Sequence, residues 1–214
     1  MQFQEGNVGI ILSIPHGGLL DPEHVQDRQC QNCDTHKDQN KCPIILKNDG
    51  YTIDLGMSIV KSMLDYKNVK PNLVINNVRR SKLDPNREIE HGAQDNPEMI
   101  EAFEKYHDHI KDAKTKFLRG LLIDLHGQCK VEMTELGYLI PKSDLNEQTY
   151  DMKKSSVAKL FIGNNNNDDE NIISGSRSLG TFIQSQGYDA VPSSSHPSPG
   201  LFKMISVAKF TDFK

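Results

Sequence analysis

Three short aliphatic segments, separated by helical patterns, constrain the fold of this chain more than any other feature. The segments 8–14, 72–78 and 120–125 are nearly continuous runs of β-branched and aliphatic residues bounded by turn residues. Such runs are typical of strands that are buried on both faces of a sheet. Amphipathic helical spacing appears over 54–66 and 97–118. This alternation predicts an α/β fold with a mixed, mostly parallel sheet flanked by helices.

The carboxyl-terminal third of the chain shows weaker patterns. Helices are predicted over 147–162 and 176–186, and Gly187 is expected to end the second of them. The polar tract NNNNDDE can bury nothing, so we interpret 163–171 as an exposed loop insertion. The tail 201–214 is compatible with one strand and carries no recognisable site chemistry.

Length and charge narrow the class of protein. The 214 residues are enough for one domain, 1–214, with its own core. The 29 acidic and 25 basic side chains give a net charge of −4, which does not suggest a nucleic-acid or membrane partner. No apolar run approaches the roughly 20 residues that span a bilayer. The amino terminus lacks the pattern of a signal peptide, which favours the cytoplasm, although secretion stays open if the amino terminus is incomplete.

The cysteines are unevenly distributed. Cys30, Cys33 and Cys42 lie in a polar stretch with His36, whereas Cys129 stands alone. A Cys-x-x-Cys pair with a nearby histidine and a third cysteine could hold a structural zinc ion. A second Cys-x-x-Cys pair is missing, so we favour a surface loop with free thiols, or with one disulfide if the chain is exported.

A histidine leaves each of two predicted strands and is followed by glycine. The first strand runs into the sequence PHGG at His16, and the third runs into HGQ at His126. Ligands of open α/β sheets collect at the carboxyl ends of the strands. We therefore predict that the two imidazoles share a zinc site, with Asp124 accepting the outer N–H of the second one. The alternative is that each histidine only caps its own strand.

A catalytic zinc ion commonly has three protein ligands and one open position. Spacing alone leaves several carboxylates as the third ligand: Asp21, Glu23, Asp49 and Asp54. Two of these, Asp49 and Asp54, could equally cap a helix or interact with its dipole.

A cationic run follows the second strand. Four cations lie within nine residues, at positions 79, 80, 82 and 87. Arginine can bind a carboxylate through two parallel hydrogen bonds, so the run could be a receptor for an anionic substrate. A solvated loop is the alternative, but the interleaved Asp84 and Asn86 would have no purpose in a loop that is merely basic.

These motifs occur in the order seen in the N-formylglutamate amidohydrolase family, which the chain resembles. They are SIPHGG at 13–18, DGYT at 49–52, RSKLDPNR at 80–87, YH at 106–107 and IDLHG at 123–127. The segments 135–138, 178–180 and 190–193 resemble its eukaryotic branch. The resemblance covers about residues 8–200, and the Arg-x-Lys-x-Asp-x-Asn-Arg block is its most specific part.

The resemblance implies a phosphorylase/hydrolase-like fold similar to that of zinc carboxypeptidases and deacylases. It implies a hydrolase that cleaves the amide bond of an N-acyl (formyl-like) amino acid or a related small carboxylate. It implies one zinc ion held by three ligands, namely His16, Asp49 and His126. It also implies that Asn86 and Arg87 bind the substrate carboxylate, with Arg80 as a helper in binding and catalysis.

The tail departs from the family pattern. Family members continue past the PSPG turn into a glycine-rich segment and a strand with an acidic residue that resembles a general base. Here LFKMISVAKFTDFK follows, and Asp212 is its only acid. Either Glu135 or Glu23 takes the catalytic role, or the chain is an inactive relative that binds a small carboxylate or a partner. A carboxypeptidase-like peptidase is a weaker alternative.

Overall fold

The aliphatic segments form the centre of a seven-stranded sheet. The computed structural model describes residues 1–30, 44–128, 132–160 and 172–200, and the backbone alone of 208–213. The strands are β1 (Gln2–Gln4), β2 (Ile10–Ile14), β3 (Asn72–Ile75), β4 (Gly120–Leu125), β5 (Thr134–Gly137), β6 (Ala190–Val191) and β7 (Ala208–Phe213). The tail therefore supplies one strand, as its sequence allows.

The sheet is mixed and mostly parallel, which confirms the prediction. Its strand order is β1-β3-β2-β4-β7-β5-β6. Parallel pairing joins β2 to both β3 and β4, and it joins β5 to both β7 and β6. The pairs β1–β3 and β4–β7 are antiparallel. Because β2 and β4 are parallel neighbours, their carboxyl ends lie side by side at one edge of the sheet.

Helices cover both faces of the sheet. They are α1 (Thr52–Lys67), α2 (Ile89–Gly92), α3 (Pro97–Thr115), α4 (Lys142–Glu147) and α5 (Leu179–Ser185). Alternate residues of β2 point to opposite faces, as strand geometry requires. Leu12 and Ile14 pack in a core cluster with Val60 of α1, whereas Ile11 packs in a second cluster with Tyr106 of α3. The two long helices were the ones with clear apolar spacing in the sequence.

The prediction of a helix over 147–162 was wrong. In place of one helix the described residues hold two short 3-10 turns, Met152–Lys154 and Ala158–Leu160. Gln148 has a left-handed backbone that ends α4, and the Ser156 amide donates to the Tyr138 carbonyl at 2.7 Å. Pairing with the chain after β5 therefore takes priority over helix propagation in this segment.

The shorter helix near Gly187 is largely as predicted. It begins at Leu179 because the Ser178 hydroxyl accepts from the Thr181 amide, which caps the first turn. Gly187 follows the helix with a φ of 89°, a conformation that favours glycine.

Several sequence-based predictions fall outside the described residues. These are the loop insertion at 163–171, the two cysteines Cys33 and Cys42 of the cluster with Cys30, and the isolated Cys129. Cys30 is described, and it is disulfide-bonded. Within the described ranges, no helix has both the length and the apolar character needed to cross a bilayer.

Candidate metal centre

The carboxyl end of β2 is fixed by the neighbouring strand. The Asn76 amide N–H donates to the Ile14 carbonyl at 3.0 Å, and its side-chain Nδ2 donates to the Pro15 carbonyl at 2.8 Å. His16 follows directly, and it is 1% exposed. A single asparagine directly after β3 thus fixes where the first histidine leaves the sheet.

The two glycines after His16 are required by close packing. A Cβ on Gly17 would lie 2.5 Å from Thr52 Oγ1, and a Cβ on Gly18 would lie 2.2 Å from the Asn77 carbonyl carbon. The amide of Asp49 donates to the His16 carbonyl at 2.9 Å. The chain before α1 is therefore bound to the histidine loop at backbone level, which brings the Asp49 carboxylate to the strand ends.

Three ligand atoms converge at this edge of the sheet. His16 Nδ1 lies 3.1 Å from His126 Nδ1 and 3.3 Å from Asp49 Oδ2, and His126 Nδ1 lies 3.1 Å from the same oxygen. The Gly127 amide also donates to Asp49 Oδ2, at 3.1 Å. All three side chains are buried or nearly so. The structure thus brings together the three residues that the family resemblance proposes as ligands.

Both imidazoles have a carboxylate at their outer nitrogen. His16 Nε2 lies 2.7 Å from Asp84 Oδ1, and His126 Nε2 lies 2.9 Å from Asp124 Oδ2. An ionised carboxylate only accepts hydrogen bonds, so Nε2 carries the proton in each ring. The Nδ1 lone pairs then point inward. The predicted role of Asp124 behind His126 is confirmed, whereas the partner of His16 was not foreseen.

The geometry of the three inner atoms fits a metal ion. Two imidazole lone pairs and a carboxylate oxygen are all acceptors, so a cation or a proton must lie between them. A tetrahedral ion with bonds of about 2.0–2.1 Å separates neighbouring ligand atoms by about 3.3–3.4 Å. The observed separations of 3.1–3.3 Å differ from these values by only a few tenths of an ångström. The group of His16, Asp49 and His126 could therefore hold a metal ion.

The carboxylate behind His16 is part of a buried ionic network. Asp84 is fully buried and accepts from Arg80 Nε at 3.0 Å, while Arg28 Nη2 lies 3.6 Å from it. Burial raises the pKa of Asp84, but the hydrogen bond from His16 and the charge of Arg80 outweigh this and hold the pKa well below its usual range. Arg80 Nη1 also donates to Asp49 Oδ1 at 3.3 Å.

Sequence reasoning missed Arg28 and the contact of Asp84 with His16. Arg28 is buried and donates to three backbone carbonyls as well, those of Ile45, Arg80 and His91. Nothing in its sequence neighbourhood signals this role. Asp84 gave a signal, since an acid within a cationic run indicated a specific partner. The contacts of Arg80 with two carboxylates do not test its predicted contact with a substrate.

The carboxylate behind His126 is equally constrained. Asp124 accepts from Ser13 Oγ at 2.6 Å and from Asn86 Nδ2 at 2.7 Å. Burial raises its pKa, but hydrogen bonds from His126, Ser13 and Asn86 lower it below the usual value. Asn86 Nδ2 also lies 3.0 Å from His126 Nε2. Asn86, which belongs to the cationic run, therefore lies beside the candidate metal centre.

Arg87 has a buried donor that lacks a hydrogen-bond partner in the described part of the chain. Its Nη1 donates to the Asn86 carbonyl at 3.1 Å, but its buried Nε has no hydrogen-bond partner among the described residues. His107 stabilises the loop that carries Arg87, because its Nε2 donates to the Pro85 carbonyl at 3.0 Å. Burial lowers the pKa of His107. A buried guanidinium N–H without a partner is costly, and an anion would satisfy it.

The other carboxylates that spacing allowed as a third ligand lie outside this group. Glu23 and Asp54 are exposed, and Asp21 forms an exposed ion pair with Arg79 at 3.0 Å. Asp54 lies in the first turn of α1, where an acidic side chain interacts favourably with the helix dipole.

Glu135, one of the two acids considered for the catalytic role, lies at the opposite end of the sheet from Asp212, the only acid of the tail. Leu125 and Leu136 both pair with Ala208, so Glu135 lies on β5 about 10 Å from the end of β4. Glu135 is buried. Asp212 pairs with Leu121, five residues before His126, so its backbone is about 16 Å from the candidate metal centre along the strand.

We expect metal binding to release a proton from His126. Burial lowers the pKa of this imidazole, but hydrogen bonds to Asp124 and Asp49 and their charges raise it to about 9. A metal ion competes with that proton, so affinity should rise with pH and level off above the pKa. The apparent Kd for zinc should fall about tenfold per pH unit between pH 7 and 9, measured by competition with a chromophoric chelator. A Kd that is independent of pH would contradict the assignment, and His24→Ala is a control at an exposed histidine.

The site geometry is the basis on which function can be argued for this chain. Comparisons with protein-family models, with curated proteins and with solved structures each gave no match.

Proposed function

We propose that this protein is a zinc-dependent hydrolase that cleaves the amide bond of an N-acyl amino acid or a related small carboxylate. The observation that carries the proposal is the triangle of His16, Asp49 and His126, in which a carboxylate backs each imidazole. The motifs shared with the N-formylglutamate amidohydrolase family point to the same chemistry. Two imidazoles and one carboxylate are a ligand set that suits zinc.

The chain's own residues would hold and orient the reacting groups. Asp84 and Asp124 fix the tautomer and the angle of the two imidazoles, so the inner nitrogens are positioned before a metal binds. Zinc, when bound, supplies Lewis acidity that polarises a scissile carbonyl and lowers the pKa of water to about 7. Fixed positioning of the substrate contributes a large share of such a rate enhancement.

Arg87 would bind the carboxylate of the substrate. Its unpartnered Nε and its adjacent N–H groups can form the two parallel hydrogen bonds that a carboxylate accepts. Asn86 would connect this anion site to the metal centre, since its Nδ2 donates at 2.7 Å to Asp124, the carboxylate that accepts from His126 Nε2. Arg80 would act indirectly, by neutralising Asp49 and Asp84.

Glu135 is our proposed proton carrier. It lies at the same edge of the sheet as His126, about 10 Å away along two strand spacings. A glutamate side chain and a bound substrate could span that distance. Glu135→Gln should then reduce turnover and leave zinc binding unchanged.

A second candidate function is favoured by the position of Asp212. If proton transfer needs the acid of the last strand, its backbone is about 16 Å from the metal centre, near the opposite end of β4. The chain would then bind a small carboxylate at Arg87 without hydrolysing it. A carboxypeptidase-like activity would require longer substrates and is the weaker alternative.

Turnover of N-formyl-L-glutamate and N-acetyl-L-glutamate by the zinc-loaded protein tests the proposal. We expect release of glutamate, and a fall in kcat/KM of about 30-fold or more in Arg87→Met, because a buried charged contact is worth about 2 kcal/mol or more. Arg79→Met is the matched control, since Arg79 forms only an exposed ion pair. Binding without hydrolysis would support the inactive relative, cleavage restricted to peptides would support the peptidase, and neither binding nor cleavage would refute the proposal.

A further inference from the structure

A cavity of about 320 Å³ is lined in part by His126 of the candidate metal centre, and Arg87 does not line it. Most of its lining residues follow one of two candidate ligands in the chain. Tyr51, Thr52 and Leu55 follow Asp49, Gly127 follows His126, and Met133 also lines the cavity. Gly127, whose amide donates to Asp49, lines this cavity, whereas Asn86, which lies 3.0 Å from Nε2 of His126, does not.

The cavity offers more room than a formyl group needs. Liquid water occupies about 30 Å³ per molecule, so 320 Å³ corresponds to about ten waters. A formyl group has about the volume of one of those water molecules. Ligand pockets of this size are usually lined by apolar and aromatic side chains, with a few polar groups that fix orientation. Tyr51, Leu55 and Met133 provide such a lining.

Tyr51 carries an independent sign that this wall serves a ligand. It has a left-handed backbone, with a φ of 62° and a ψ of 4°, although it is a bulky residue at the start of α1. Its side chain is 87% exposed, and no side-chain hydrogen bond caps the helix. A bulky residue in this conformation costs free energy, and neither packing nor capping by the described residues compensates for it. The strain instead holds an aromatic ring at the rim of the cavity.

We infer that the cavity beside His126 binds an apolar acyl group of about four to eight carbons, with Tyr51 and Leu55 as specificity-determining residues. This inference rests on the proposed function, because His126 lines the cavity and its Nε2 is hydrogen-bonded through Asp124 to Asn86, the neighbour of Arg87. A substrate carboxylate on Arg87 then leaves the acyl arm to enter the cavity. The preferred substrates would then be medium-chain or aromatic N-acyl amino acids, and formyl and acetyl compounds would be slower substrates of the same site.

Binding of acetohydroxamate and hexanohydroxamate to the zinc-loaded protein tests this inference without requiring turnover. Each buried methylene is expected to tighten binding about three- to fourfold. The six-carbon compound should therefore bind at least tenfold more tightly by calorimetry. Tyr51→Asn and Leu55→Gln should each reduce that ratio at least threefold, and Tyr51→Asn should not lower the Tm, because asparagine tolerates left-handed backbone.

Matched controls lie on the same helix. Tyr66→Asn and Leu64→Gln change residues of similar exposure, 84% and 43%, that do not line the cavity, and they should leave the ratio unchanged. Equal affinity for the two hydroxamates, or a ratio that survives in Tyr51→Asn and Leu55→Gln, would overturn the inference and leave the hydrolase proposal intact. A protein that binds no zinc would overturn both.

Discussion

His16→Ala is expected to abolish stoichiometric zinc binding. The wild-type protein should hold about one zinc ion per chain, because three ligand atoms lie within 3.1–3.3 Å of one another. Removing His16 leaves two ligands and frees Asp84 from its hydrogen bond, so the Kd for zinc should rise more than a hundredfold, beyond the 10- to 100-fold typical of outer partners. Metal content after dialysis and a competition titration would measure the loss.

The matched control for this change is His24→Ala. His24 lies eight residues further along the same loop, where it forms an exposed pair with Glu98. It should keep full zinc content and wild-type affinity. A His16→Ala protein that retains one tightly bound zinc ion, or a wild-type protein that stays folded and metal-free in excess zinc, would rule out the metal centre.

Asp84→Asn is expected to cause the largest loss of stability. Asp84 is fully buried and is contacted by His16, Arg80 and Arg28. Removing one member of a buried ionic network leaves uncompensated charge and costs about 3–5 kcal/mol in the free energy of unfolding. The change also loosens the His16 ring, so the Kd for zinc should rise about 10- to 100-fold.

Urea unfolding in the presence of a chelator and in excess zinc would separate these two effects. In the presence of chelator, the change in the free energy of unfolding measures the contribution of the ionic network alone. In excess zinc, the free energy of zinc binding is added to it. Asp54→Asn, at an exposed position of α1, should change neither quantity appreciably. A loss below about 1 kcal/mol in Asp84→Asn would mean that Asp84 does not hold this network together.

The sequence allowed the central sheet and the long helices to be predicted because their burial pattern is local. β2, β3 and β4 are short aliphatic runs, and Pro97 marks the first turn of α3. β5 and β6 were missed, because TELG at Thr134–Gly137 and a two-residue strand have no detectable periodicity. They become strands only through pairing with residues far away in the chain.

The candidate site, like the fold, could be predicted from the sequence only in part. Two histidines at strand ends could be associated because parallel neighbours share an edge of the sheet. The third ligand could not be chosen by spacing, because Asp49 reaches the site through a backbone hydrogen bond to His16 rather than through a regular element. The role of Arg28 could not be predicted for a related reason, since its partners are carbonyls of three separate segments.

The position of β7 has a consequence for how the molecule is made. β7 follows β5 and β6 in the chain, yet it lies between β4 and β5. At about 5–20 residues per second, a ribosome needs roughly 4–17 s to proceed from Leu125 to Ala208. During that interval the nascent chain already contains His16 after β2, Asp49 before α1 and His126 after β4. The three candidate ligands are therefore synthesised before the strand that joins the two halves of the sheet.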